Sequence, residues 1–553
     1  MQSTMQDAPL LISMILRRGM TIYGTSKVTT VENFDPATRA LTTRSATFAE
    51  VGANAGRLAN ALRRIGVSGD QRVGTFCWNH QEHLEAYLAI PSMGAVLHTL
   101  NIRLFPEQLT YVVNHADDRV IIVDGSLIPL LCKIAGTLPN VSNYLVVGAG
   151  DHSMLAESFP GSIVTDYHTA LANESPDFDW PYDIDERSAA AMCYTSGTTG
   201  NPKGVAYSHR STWIHSLASL GAPMLGVDEA DSLLVIVPMF HANAWGAPYT
   251  AFFGGADFVF PKQFLQAAPL AAILAEHRPT VTMAVPTIWN DLWNYGEQNT
   301  LDMSSLRSVT AGGSAVPRVL MERFKDKYGL QIMQGWGMTE TSPLGSLAKP
   351  PKGAAPETHM DYHDLAGRVL PGVEMRIVSD EEAGTVAPVD GSTIGEIEVR
   401  GPWITGAYHL DASPEKFRDG WLRTGDMGTL DEKGYLRITD RTKDVIKSGG
   451  EWVSSIDLEN VIMAHPSVLE AAVIGVPDPK WDERPLACVV IREGAAADAS
   501  TIADIKSFLG ERVAKWWIPE SWSFIDAVPK TSVGKFDKKV LRAQHAEGQL
   551  TVL

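Results

Sequence analysis

The chain has 553 residues, 45% of them apolar and 20% charged, the balance of an ordinary globular chain and not of a disordered one. Its 46 basic residues face 64 acidic ones, a formal net charge of −18. That charge argues against non-specific nucleic-acid binding, while anionic ligands can still be held by local cations and backbone N–H groups. At about one domain per 150 residues, the length predicts three or four folding units.

Taken from the N-terminus, "MQSTMQDAPLLISMILRRGM" places Asp7 before a short apolar run and Arg17 and Arg18 after it. That order is the reverse of a secretory signal, and no apolar run reaches the ~18 residues of a membrane span. A cytoplasmic location is expected. The four cysteines, Cys77, Cys132, Cys193 and Cys488, form no C-x-x-C pair and no zinc spacing, so a disulfide framework is not expected either.

Thr47–Val67 repeats apolar residues at helical spacing and stops at Gly66. "RVGTFCW" and "RVIIVDG" read as buried strands, as do "DSLLVIVPMFH" (Asp231–His241), "PTVTMAV" (Pro279–Val285) and "SVTAGGS" (Ser308–Ser314). Such strands alternating with helices predict an α/β fold with parallel sheet. Beyond about Gly372 the pattern turns to alternating strands and turns, a small β-rich subdomain. From Asp444 a compact α+β pattern begins. The polar junction "TDRTKD" marks the boundary, giving a large domain over 1–442 and a small one over 443–553.

The stretch "TSGTTGNPKG" (Thr195–Gly204) concentrates glycines and hydroxyls with one cation, Lys203. The preceding "AAAMCYT" reads as a strand and the following "SHRSTWIHSLASL" as a helix capped by Ser208. A loop in that position can surround phosphate oxygens with N–H groups and small hydroxyls. A Walker A loop is excluded, because Pro202 stands where its second glycine belongs and Gly204 follows Lys203.

"YTSGTTGNPKGV" resembles the phosphate-loop signature of the adenylate-forming superfamily of acyl-CoA synthetases, luciferases and peptide-synthetase adenylation domains. "QGWGMTETSP" (Gln334–Pro343), "GWLRTGDMG" (Gly420–Gly428), "DRTKDVIKSGGEW" (Asp440–Trp452) and "PKTSVGKFDKK" (Pro529–Lys539) follow in that family's order. The texture around "VPMFHANAWGAPY" is most similar to bacterial medium- and long-chain fatty acyl-CoA synthetases.

The resemblance implies that a carboxylic acid attacks ATP to give acyl-AMP, and that the CoA thiol then displaces AMP. It implies Mg²⁺ as cofactor, a homodimer and a small C-terminal domain that rotates between the two steps. It places ATP against Thr195, Ser196, Gly197, Thr198, Thr199 and Lys203, against the turn Gly312, Gly313 and Ser314, and against Gly335, Trp336, Gly337 and Met338. Thr339 would contact the α-phosphate, Glu340 would hold Mg²⁺, and Asp426 with Arg441 would hold the ribose. Lys535 would bridge the carboxylate and the α-phosphate. A charge at ~4 Å is worth roughly 4 kcal/mol at an effective dielectric near 20. The neighbouring Lys530, Lys538 and Lys539 are expected to be solvated. His241 would lie beside the acid, with Trp245 and Gly337 in the acyl pocket. Lys443 would be the hinge, and Lys447, Ser448, Gly449, Gly450, Glu451 and Trp452 would face CoA. Aryl or other short acids, and a stand-alone adenylating enzyme feeding a carrier protein, are alternatives that the sequence leaves open. The joint presence of Glu340, Asp426 and Lys535 argues against a non-catalytic nucleotide binder.

Overall fold

The structure, a computed structural model, describes all residues except 196–200, 381–382, 442, 449–450 and 531–535, and only the backbone of Glu451 and Trp452. The architecture is mixed α/β, with a large N-terminal sheet domain and a small C-terminal domain. Among the described residues three sheets carry it.

One sheet has seven strands. Arg72–Phe76, Val96–Thr99, Asp118–Asp124, Asn143–Val147 and Ile163–Asp166 run parallel, joined by helices. Its far edge is an antiparallel hairpin of Ala189–Tyr194 and Gly204–Ser208. The helix Phe48–Arg64 packs over this region. Thr47 caps it through a reciprocal bond set with Glu50, as the periodicity over Thr47–Val67 anticipates.

The second sheet has fifteen strands. Its parallel half comprises Asp257–Phe260, Ser232–Val235, Val281–Ala284, Ser308–Gly312 and Ile332–Gly337. The first four are short runs buried on nearly every residue, the sequence signature of parallel strands, whereas Ile332–Gly337 alternates buried and half-buried residues. After Gly337 the direction alternates. Leu344–Leu347 and Gly367–Val369 pair antiparallel and lead to Tyr435–Arg441, Trp421–Leu430, Gly395–Arg400 and Glu374–Asp380. The β-rich segment after Gly372 is thus hydrogen-bonded into the same sheet.

The third sheet is built wholly from Ile446 onward. Its core of Ile446, Leu458, Val473, Ala487, Ile505 and Trp522 is separate from the cores of the large domain.

The Thr195–Gly204 loop does not run from strand directly into helix. The strand before it, Ala189–Tyr194, pairs antiparallel with Gly204–Ser208, which intervenes before the helix His209–Leu220. Ser208 does cap that helix, accepting from the Ser211 N–H at 3.0 Å.

Candidate active site

In sheets of this kind the ligand crevice lies beyond the carboxyl ends of the parallel strands. Here Ser232–Val235 leads to Ile236 and His241, Val281–Ala284 to Val285, Ser308–Gly312 to Ser314, and Ile332–Gly337 to Glu340. These ends converge on one cavity of about 1230 Å³. That exceeds the range of roughly 300–1,000 Å³ usual for a pocket holding one small ligand.

Most sequence-predicted residues meet there. Thr195, His241, Trp245, Gly312, Gly313, Ser314, Gly335, Trp336, Gly337, Met338, Thr339, Glu340, Asp426, Arg441 and Lys443 all line it. One wall is apolar, with Ile236, Phe240, Leu265, Val285 and Ile288. The glycines are there for close approach. A Cβ on Gly312 would sit 2.9 Å from the Gly335 carbonyl oxygen and 3.3 Å from the Trp245 ring. One on Gly337 would lie 1.8 Å from the Pro343 carbonyl oxygen.

The polar groups are held in place by partners. Asp426 accepts from the Trp336 indole N–H at 2.8 Å and faces the Arg441 guanidinium at 3.6 Å. Glu340, only 6% exposed, accepts from the Tyr408 hydroxyl at 2.7 Å. The Thr339 carbonyl accepts from the Tyr207 hydroxyl at 2.7 Å. Burial pushes the Tyr408 phenol far up, helped by the Glu340 charge, so it stays a donor.

Other predicted residues lie elsewhere. The Lys203 ammonium faces Asp411 at 3.2 Å, Glu415 at 3.8 Å and the Ser413 hydroxyl, and does not line the cavity. The cation in the loop is therefore neutralised locally. Lys447 and Ser448 do not line the cavity either; the Lys447 backbone N–H donates to Glu483 and Ser448 accepts from Arg484 at 3.1 Å. Lys538 is not a solvated charge but 8% exposed, 2.7 Å from Glu459. Lys530 pairs with Glu470 at 2.7 Å, and Lys539 is exposed as expected.

Ser196, Gly197, Thr198, Thr199, Gly449, Gly450 and Lys535 lie outside the described residues, as do the side chains of Glu451 and Trp452. The residues flanking the Lys535 segment, Lys530 and Phe536, line a second cleft of about 560 Å³. That cleft shares Gly313, Ser314, Arg441 and Lys443 with the main cavity.

Arg103, Lys416 and Tyr408 escaped the sequence reading. Arg103 and Lys416 line the cavity, and Tyr408 holds Glu340. Each comes from a segment with no glycine-rich signature, and only the fold brings it here.

The family described as "AMP-binding enzyme" matches residues 30–409, and "AMP-binding enzyme C-terminal domain" matches residues 457–535. The chain is 41% identical over 546 residues to the 3-methylmercaptopropionyl-CoA ligase of Ruegeria lacuscaerulensis, covering 98% of each chain. It is 41% identical over 550 residues to the long-chain-fatty-acid–CoA ligase of Thermus thermophilus, covering 98% of this chain and 97% of that one. Among solved structures, the anthranilate CoA ligase AuaEII in complex with anthranoyl-AMP superposes with a TM-score of 0.85 at 25% identity, covering 99% of this chain and all of that one. The chain therefore belongs to the AMP-binding, adenylate-forming enzyme family. Within it, the protein is an AMP-forming acid–CoA ligase.

Proposed function

We propose that the acid is a medium- to long-chain fatty acid, activated as acyl-AMP and passed to CoA in the same cavity. The observation that carries this reading is the junction of two surfaces in one space. The turn Gly312–Ser314, Thr339, Glu340 and Asp426 offer polar groups to a nucleotide, and the wall from Ile236 to Ile288 offers apolar surface to an acyl chain.

In the first step a carboxylate oxygen attacks the α-phosphorus and the bond to the β-phosphate breaks, releasing pyrophosphate. Asp426 would accept from the ribose hydroxyls, Thr339 would donate to the α-phosphate and His241 would orient the acid. Glu340 and Thr339 are oxygen donors, the set that Mg²⁺ prefers; Mg²⁺ bound there would offset phosphate charge. Lys535 is assigned the bridge between acid and phosphate. Lys203, paired with Asp411 at 3.2 Å, would have to exchange that partner to reach a phosphate.

In the second step the CoA sulfur attacks the acyl carbon, the bond to AMP breaks and the thiol proton is released. Lys447 and Ser448 do not line the cavity, which supports a rotation of the small domain about Lys443, beginning near residue 443, to bring residues 447–452 to CoA. No helix among the described residues is long and apolar enough to cross a membrane. A cytoplasmic location is proposed from the sequence, and a homodimer from the resemblance alone.

The test is pyrophosphate release with and without CoA for acetate, benzoate, 3-methylmercaptopropionate, octanoate and palmitate. Octanoate or palmitate is expected to give the highest kcat/KM. Equal or faster turnover of acetate, benzoate or the thioether acid would reassign the acyl class.

A further inference from the structure

Ala242, Asn243, Ala244 and Trp245 all have positive φ, from 43° to 57°. Four successive non-glycine residues in the left-handed region form a turn that L-residues enter only at a cost, so the surroundings must impose it. The turn starts directly after His241 and ends by setting Trp245 against Gly312. What imposes it is visible in the side chains.

Asn243 is 4% exposed. Its Oδ1 accepts from the Cys193 thiol at 3.1 Å and from the Tyr87 hydroxyl at 3.3 Å. The Tyr87 hydroxyl is shared with the Met239 carbonyl. The approach to the turn is fixed as well. Asn79 donates to the Val235 and Val237 carbonyls at 2.8 and 2.9 Å and accepts from the Met239 N–H at 2.8 Å.

Cys193 belongs to the strand Ala189–Tyr194, which runs into the Thr195 loop. Its sulfur meets the Thr99 hydroxyl at 3.2 Å and also contacts Tyr207 and the backbone N–H groups of Ala242 and Asn243. Tyr207 in turn donates to the Thr339 carbonyl. One buried set of contacts therefore spans the acid side (His241, Trp245) and the nucleotide side (Thr195, Thr339) of the cavity.

We propose that Asn243 is a positioning residue that ties the acid-binding turn to the strand entering the phosphate loop, so that acid and nucleotide reinforce each other's binding. This rests on the reading of the cavity as the shared site of both. By linkage the reinforcement is reciprocal. Asn243→Gly keeps the freedom for positive φ and removes the anchor. Cys193→Ala removes the opposite end, and Cys193→Ser restores an O–H donor of similar size.

The affinity for α,β-methylene-ATP is measured by equilibrium titration with and without saturating octanoate. In the wild type, octanoate is expected to tighten the nucleotide at least fivefold. In N243G and C193A the factor falls below twofold, while the affinity without acid stays within twofold of wild type. C193S regains at least half of the lost factor on a logarithmic scale. Wild-type reinforcement persisting in both N243G and C193A, or absent from the wild type, overturns the proposal. If N243G does not fold, the C193A and C193S pair decides by the same criteria. Wild-type protein with no acid-dependent pyrophosphate release for any acid would be a different failure, that of the functional reading beneath it.

Discussion

The indole N–H of Trp336 donates to Oδ2 of Asp426 at 2.8 Å, joining residues 90 apart in the chain. The other carboxylate oxygen faces Arg441, its cross-strand neighbour. Asp426 is thereby oriented before any nucleotide arrives, which lowers the ordering cost of binding. Asp426→Ala is expected to raise the KM for ATP by about 10- to 100-fold, since hydrogen bonds to a charged group are worth about 1.5–3 kcal/mol. Trp336→Phe, which keeps an aromatic ring on the cavity wall and removes the donor to the carboxylate, should raise it less, by about threefold. An ATP titration of pyrophosphate release measures both; an unchanged KM in Asp426→Ala removes the ribose assignment.

Gly337 has no room for a methyl group, because the obstacle 1.8 Å from its would-be Cβ is backbone, the Pro343 carbonyl oxygen. Gly337→Ala must displace the turn that carries Thr339 and Glu340. A loss of about 2–3 kcal/mol in stability is expected, within the range for overpacking. Activity should fall further than the folded fraction does. Urea denaturation alongside turnover separates the two, and full activity in a stable variant would show that the turn is not constrained as described.

Lys535 is assigned to the first half-reaction alone. Lys535→Ala should slow acid-dependent pyrophosphate release by roughly a thousandfold, the equivalent of about 4 kcal/mol. Thioester formation from a supplied acyl-adenylate should change by less than about tenfold. Single-turnover assays of each half-reaction read this directly, and equal loss in both would defeat the division.

The buried pair Lys538–Glu459, at 2.7 Å, is a stability element of the small domain. Burial pushes the Glu459 carboxyl up to about 7, against the pull of Lys538. Lys538→Met leaves that carboxyl unpaired, at an expected cost of about 3–5 kcal/mol at pH 8. Below pH 7 Glu459 can take up a proton, so the cost should shrink at pH 5. The double variant Lys538→Met/Glu459→Gln should recover most of it. Chemical denaturation at both pH values is the measurement; a cost independent of pH contradicts the assignment.

His215 is buried with its ring edge-on to Trp403, centroids 5.6 Å apart. Burial pushes it down to about 4 from 6.5. Between those values the unfolded chain binds a proton that the folded chain refuses. Its contribution is thus fully present above pH 6.5 and is lost as pH falls towards 4. At pH 4.5 the loss attributable to His215 is about 2.5 kcal/mol. His215→Gln should flatten the acid limb of the stability profile by that amount. An identical profile in the variant would rule His215 out as a contributor.

Much of the site could be read from residues because its chemistry is local. Glycine-rich turns, the "GWGMTE" run and the helix cap at Ser208 follow from backbone freedom, small hydroxyls and capping geometry within a few positions of chain. The alternation of short apolar strands with helices likewise fixed an α/β sheet and its crevice. Local rules do not say which charge finds a partner. Lys203 sits in a nucleotide motif, yet Asp411 and Glu415, far along the chain, neutralise it. Lys538 stands in a run of lysines that reads as solvated, yet the small domain buries it on Glu459.

The chain by itself determined the family, the order of its motifs and the residues that gather at the strand ends. The tertiary structure alone decided the hairpin beneath the phosphate loop, the Trp336–Asp426 bond and the left-handed turn pinned by Asn243. Backbone preference acts over neighbouring residues. Burial and pairing join groups far apart in the chain, 156 positions in the case of Tyr87 and Asn243, and so exist only once the sheets have assembled.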